Sequence, residues 1–96
     1  MKATYIAVFE YASDGINISF PDFPGVFTCA FSREEAFFMA KDCLQLYVYG
    51  MKRTDLPKPK EHFDDRDNVE IVSITIEMEV KDGELYWDAV TEYDEN

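Results

Sequence analysis

The side chains here that could do chemistry are mostly carboxylates, with one histidine and two cysteines among them. Asp64, Asp65 and Asp67 lie close enough in sequence to suggest cations held for phosphoryl transfer. That chemistry needs acids converging from different elements. These three share one polar stretch with no other fixed ligand pattern, so a solvated acidic loop is the simpler reading. Glu77 and Glu79 would project from one strand face, as paired catalytic acids could, yet no cleft pattern accompanies them. His62 beside Asp64 or Asp65 lacks the spacing of a histidine zinc motif and reads as an exposed loop histidine. Cys29 and Cys43 would need an activating base and oxyanion donors to be nucleophiles. Both fall in apolar stretches and are expected to be buried free thiols. The four glycines form no phosphate-cradling loop. Lys52, Arg53, Lys58 and Lys60 make a small basic interval, but Asp55 interrupts it and Glu61 bounds it. No catalytic residue, metal site or cofactor is expected.

Twenty acids face nine bases in 96 residues, a net charge of -11. That balance opposes nonspecific binding to a phosphate backbone and favours a basic protein partner. The excess is local: residues 1–60 hold seven acids and seven bases, residues 61–96 thirteen acids and two bases. Its plain reading is a solvated face; its sharper reading is a docking surface. With 47% hydrophobic and 16% aromatic residues the chain should fold, as one domain over 1–96. A TIM barrel or full dinucleotide-binding fold would not fit. So small a chain buries only roughly 60 to 65% of its extended surface, so a homodimer is expected to supply more. No apolar run approaches the roughly 18 residues of a membrane helix, and Glu10 interrupts the first one. A cytoplasmic protein without membrane contact is expected.

Thr4 to Phe9 reads as a central strand, because both of its faces are apolar. Ala12-Ser13-Asp14-Gly15 is a turn, and Ile16, Ile18 and Phe20 line one face of a second strand. After Pro21-Asp22-Phe23-Pro24-Gly25, Val26 to Ala30 forms a third strand. Ser32 and Glu35 make a capping box that opens a helix over 33–49, ended by Gly50. Phe37, Ala40, Leu44 and Tyr47 are expected to anchor it in the core. Residues 51–68 form a proline-bearing, acidic loop. Val69 to Val80 alternates as a strand, with Val72, Ile74, Ile76, Met78 and Val80 on one face. Asp82-Gly83 turns the chain into a final strand, Leu85 to Val90, and Glu92 to Asn96 is a tail. The prediction is an α/β (α+β) domain of order β-β-β-α-β-β, its helix packed on a mainly antiparallel sheet.

The strand Tyr5-Ile6-Ala7-Val8-Phe9, the turn Phe20-Pro21-Asp22-Phe23-Pro24-Gly25 and the run Thr28-Cys29-Ala30-Phe31-Ser32-Arg33-Glu34-Glu35-Ala36 together resemble the amino-terminal domain of HicB-like antitoxins. Leu56-Pro57-Lys58-Pro59 looks like that family's exit after its helix. Pro21, Asp22, Pro24 and Gly25 match the signature turn, and Ser32, Glu35 and Ala36 fall at the helix start. Ala30 and Val26 depart from the glycine and cysteine usual there. The resemblance implies a partial ribonuclease-H-like domain that need not be a nuclease, and neutralisation of a HicA-like toxin, a small basic RNA-cleaving protein. Many relatives add a DNA-binding module; no basic segment here suits one, so independent DNA binding is not expected. Glu70, Glu77, Glu79, Glu84 and Asp88 are the candidate partner-binding residues. A stand-alone protein-interaction module and a small metal-dependent nuclease remain the alternatives.

Overall fold

β-favouring side chains at the amino terminus build the longest strand, β1 (Lys2–Ala12). It is a central strand, flanked by β2 (Gly15–Ser19) and β4 (Val69–Glu77). With β3 (Phe27–Ala30) they form an antiparallel sheet of order β3-β2-β1-β4. The computed structural model describes residues 1–86. The expected order β-β-β-α-β-β, with one helix on an antiparallel sheet, is observed with the first strand after the helix divided in two, so that three strands follow α1 among the described residues. The strand ending at Val90 is described only to Tyr86; Asp88 and the tail at 92–96 lie outside the described residues.

Ser32 starts the helix α1 (Arg33–Val48) by accepting the Glu35 N–H at 3.1 Å. The Glu35 carboxylate reaches back to the Phe31 N–H at 2.7 Å, completing the box one residue before the cap. Ala36, Ala40, Leu44 and Val48 are wholly buried. Two alanines on this stripe let the backbone approach a sheet already filled by Phe9, Ile18 and Phe20. Phe37 is partly buried and meets Phe9 edge-on, with ring centroids 5.2 Å apart. Tyr47 is not a core residue: it is 51% exposed and touches Phe23 only edge-on. Val48, four positions after Leu44, continues the buried stripe and leaves Tyr47 on its rim.

The helix covers one face of the sheet, which corrects the expectation for the cysteines. Ala30 points inward at 3% exposure, so Phe27 and Cys29 alternate onto the uncovered face, and Cys29 is exposed. Cys43 sits half-buried on the helix flank, where burial and then Asp42 push its thiol pKa up.

The expected strand 69–80 breaks at Met78, whose backbone exchanges hydrogen bonds with Met1. Beyond it, β5 (Glu79–Lys81) pairs with β6 (Glu84–Tyr86) as a separate ribbon. Positive φ at Asp82 (54°) and Gly83 (80°) suits the tight primed turn between them. The ribbon docks on the helix exit: the Gly50 N–H donates to Leu85 C=O at 2.6 Å, and the Leu85 N–H to Met51 C=O at 2.8 Å. Val80 therefore leaves the buried face and is 40% exposed.

Leu44→Ala should cost about 2 to 5 kcal/mol, as expected for a cavity in a filled core, and Tyr47→Ala less than about 1.5 kcal/mol. Urea unfolding of the two variants and the parent measures the contrast; equal losses would contradict this packing.

Candidate functional site

The segment after β2 makes two successive tight turns. The Phe23 N–H donates to Phe20 C=O at 2.8 Å, and the Val26 N–H to Phe23 C=O at 3.1 Å. Pro24 presets its own φ and Gly25, at φ 87°, supplies the positive φ that a type II turn requires. Phe23 is thereby turned into the core, edge-on to Tyr5 at 4.7 Å. Pro21 hands the chain to Asp22, whose side chain is only 3% exposed. Its carboxylate accepts the Lys60 N–H at 3.3 Å and lies 2.9 Å from His62 Nε2. Nearby, the Tyr5 hydroxyl donates to Pro57 C=O at 2.5 Å; burial and then the charge of Asp22 raise its pKa. The turn is a clamp that fastens the loop after the helix to the sheet. His62, expected exposed, keeps only 27% of its side chain accessible because Asp22 draws it in.

A second polar cluster joins the helix start to the sheet. Glu70 stands near the beginning of β4, opposite Phe9 of β1. Arg33 Nε lies 3.0 and 3.2 Å from its two oxygens, and a terminal guanidinium nitrogen donates at 2.6 Å. The Tyr11 hydroxyl adds a bond at 2.6 Å. Arg33 first, and Tyr11 second, hold the Glu70 carboxyl at a pKa of about 2. Hydrogen bonding to Glu70 raises the pKa of Tyr11. Arg33 also lies over the Phe37 ring, 4.9 Å from its centroid. Beside this cluster an open depression of about 450 Å³ runs between the β1–β2 turn and the helix start, with Asp14, Phe31 and Arg33 in its lining.

The candidate acids therefore separate. Glu70 is engaged within the fold. Glu77 lies seven residues further along β4, roughly 23 Å away for an extended strand. Glu79 opens β5 and Glu84 opens β6, so these two cluster with Glu77 and Asp82 around the ribbon. Their partners hold them loosely: Lys2 to Glu77 and Lys81 to Glu79 are both 3.9 Å apart, with all four side chains at least 64% exposed. Pairs of that kind contribute little and leave the field of the carboxylates open to solvent. Glu84 accepts the Tyr86 hydroxyl at 2.6 Å, which raises the tyrosine's pKa. Asp88 lies outside the described residues. Asp64, by contrast, is bound by Arg66, which also reaches Glu10 at 3.1 Å, so the loop acids are partly spent in the fold.

Sequence reading missed both Asp22–His62 and Arg33–Glu70, whose members stand 40 and 37 positions apart. The one available signal was an acid inside a turn otherwise built of proline, phenylalanine and glycine. Among the described residues, no three His, Cys, Asp or Glu side chains gather as a metal site. No helix there is long and apolar enough to cross a membrane.

No protein-family model matches this sequence, and no curated protein sequence does. Among solved structures, a chain of a toxin-antitoxin complex from Streptococcus pneumoniae is similar, with a TM-score of 0.67 and 21% sequence identity. The match covers 80% of this chain and 70% of that one. It is a likeness of fold.

Glu70→Gln should lower stability at neutral pH by less than about 1 kcal/mol, since the pair is exposed to solvent. Because folding lowers the carboxyl pKa from 4.5 to about 2, its contribution is complete above the first value and fades as pH falls toward the second. Urea midpoints of parent and variant should converge over that window. Asp22→Asn should loosen the clamp, and hydrogen exchange at the Lys60 amide should rise several-fold over the parent while amides of β1 stay protected.

Proposed function

We propose that this protein is a non-enzymatic antitoxin of the HicB-like kind, which binds and neutralises a small, basic, HicA-like RNA-cleaving toxin in the cytoplasm. The observation that carries the reading is a fold shared with a chain of a toxin-antitoxin complex. The resemblance to HicB-like antitoxins, with their partial ribonuclease-H-like domain, rests on the sequence of the signature turn and capped helix. The charge distribution supports a basic partner, because thirteen of the twenty acids fall after residue 60. Glu77 and Glu79, loosely paired and exposed, and Glu84 on the neighbouring strand of the ribbon are the carboxylates best placed to attract one. Their field would act before contact, raising the encounter rate. Shape and buried contacts would then hold the complex and cover the toxin's RNA site.

The test is co-expression with a small basic protein encoded beside this gene, followed by co-purification and an RNA-cleavage assay. Complex formation with suppressed cleavage is expected. The triple variant Glu77→Lys, Glu79→Lys, Glu84→Lys should bind about tenfold more slowly at low salt, with the difference shrinking as salt rises. Binding without suppression would instead indicate a stand-alone interaction module. Cation-dependent cleavage by the pure protein would indicate a small metal-dependent nuclease.

A further inference from the structure

Arg33, Glu70 and Phe37 form a complete arrangement: a guanidinium held on both oxygens of a carboxylate and lying over an aromatic ring. The depression beside them repeats two of those three parts. On the helix side it is lined by Phe31, which is 84% exposed. On the other side stands Asp14, at the tip of the two-residue loop between the paired Ala12 and Gly15. Among the described residues, no hydrogen bond or ion pair engages the Asp14 carboxylate. Gly15, at φ 150°, brings the two sides together. A Cβ there would meet Ala30 C=O at 2.9 Å and the Phe31 ring at 3.8 Å, so a glycine lets the turn lie this close to the residues after β3. Tyr11 adds a second ring to the lining.

We propose that this depression binds an arginine side chain presented by a basic protein partner, its guanidinium stacked on Phe31 and paired with the Asp14 carboxylate. A carboxylate only accepts, and its two oxygens match two N–H groups of a planar fork. An exposed ring favours a flat, weakly hydrated cation over its face. Lysine supplies the charge without the fork or the plane. Arg33 also lines the depression, but Glu70 neutralises it at 2.6 Å. Glu34 and Glu35 on the first helical turn disfavour an anion here. The depression is open, about 450 Å³, whereas a free small molecule is held where most of its surface is buried. A side chain carried by a folded partner needs no such enclosure, because the surrounding interface excludes water. That the partner is a toxin rests on the antitoxin reading; that the site takes a guanidinium does not. Under that reading the ribbon acids steer the encounter and this depression anchors the complex. The depression adjoins Glu70, roughly 23 Å from Glu77 along an extended β4, within the span of one interface.

Titration of the full chain with N-acetyl-arginine amide, followed by proton–nitrogen correlation spectra, should move the amides of Ser13, Asp14, Gly15 and Phe31. Half-saturation is expected at roughly 1 to 10 mM, the weak affinity of one side chain without its protein. N-acetyl-citrulline amide, of the same shape without the charge, should bind roughly tenfold more weakly, and the lysine analogue roughly threefold. Asp14→Asn should abolish the preference for arginine over citrulline. Phe31→Ala should weaken arginine binding about fivefold, and Phe31→Tyr should restore it. Both positions are exposed, and unchanged amide shifts across β1 and α1 identify variants that keep the fold. Equal response to arginine and citrulline, shifts centred elsewhere, or arginine binding indifferent to Asp14→Asn would overturn the proposal. In complex with the basic protein encoded beside this gene, Asp14→Asn should speed dissociation about tenfold with little change in association, the reverse of the ribbon variant. A complex that suppresses RNA cleavage and ignores both substitutions would overturn the anchor and leave the antitoxin reading standing. No complex, with the arginine titration as expected, would overturn that reading and leave the site standing.

Discussion

One helix can bury only one face of a sheet, and most of what distinguishes this molecule follows from that asymmetry. α1 lays Ala36, Ala40, Leu44 and Val48 over the inward side chains of the four strands. Most strand residues of the opposite parity are left more exposed, Val8 of β1 being buried nonetheless. Phe27 and Cys29 of β3 are on that face, as are Thr4 and Thr75, whose hydroxyls meet at 2.8 Å across β1 and β4. Among the described residues, β3 and β4 are the outer strands of the sheet. The chain has dressed β4 in carboxylates and hydroxyls and left β3 apolar.

The long connection after the helix is held by polar contacts more than by apolar burial. Asp22 is nearly inaccessible, and a carboxylate in that position needs donors at hand. The Lys60 amide and His62 provide them, while Tyr5 holds Pro57. At the other end of the sheet edge, Arg33 and Glu70 tie the first residue of the helix to the start of β4. These two sites explain why the acidic second half is not a uniform field. Glu70 and Asp64 are spent on arginines, whereas lysines only loosely oppose Glu77 and Glu79, and Glu84 accepts the Tyr86 hydroxyl.

Strand periodicity, the capping box and the turn chemistry of Pro24-Gly25 and Asp82-Gly83 are local properties, and the sequence by itself determined them. The apolar run at residues 4–9 suggested a central strand, and β1 has a strand on each side. The helix start and its buried stripe at Ala36, Ala40 and Leu44 were likewise legible, since four-residue spacing places side chains on one face whatever lies beneath. Tertiary structure decided the rest. Whether Cys29 is buried depends on which side of the sheet the helix covers, and alternation alone cannot say. Whether Val80 continues the buried face depends on the chain leaving β1 at Met78 to satisfy the helix exit. The candidate site divided in the same way: its acids could be counted, but partners 37 to 40 positions away determine which remain open, and only the folded chain brings those partners within hydrogen-bond reach.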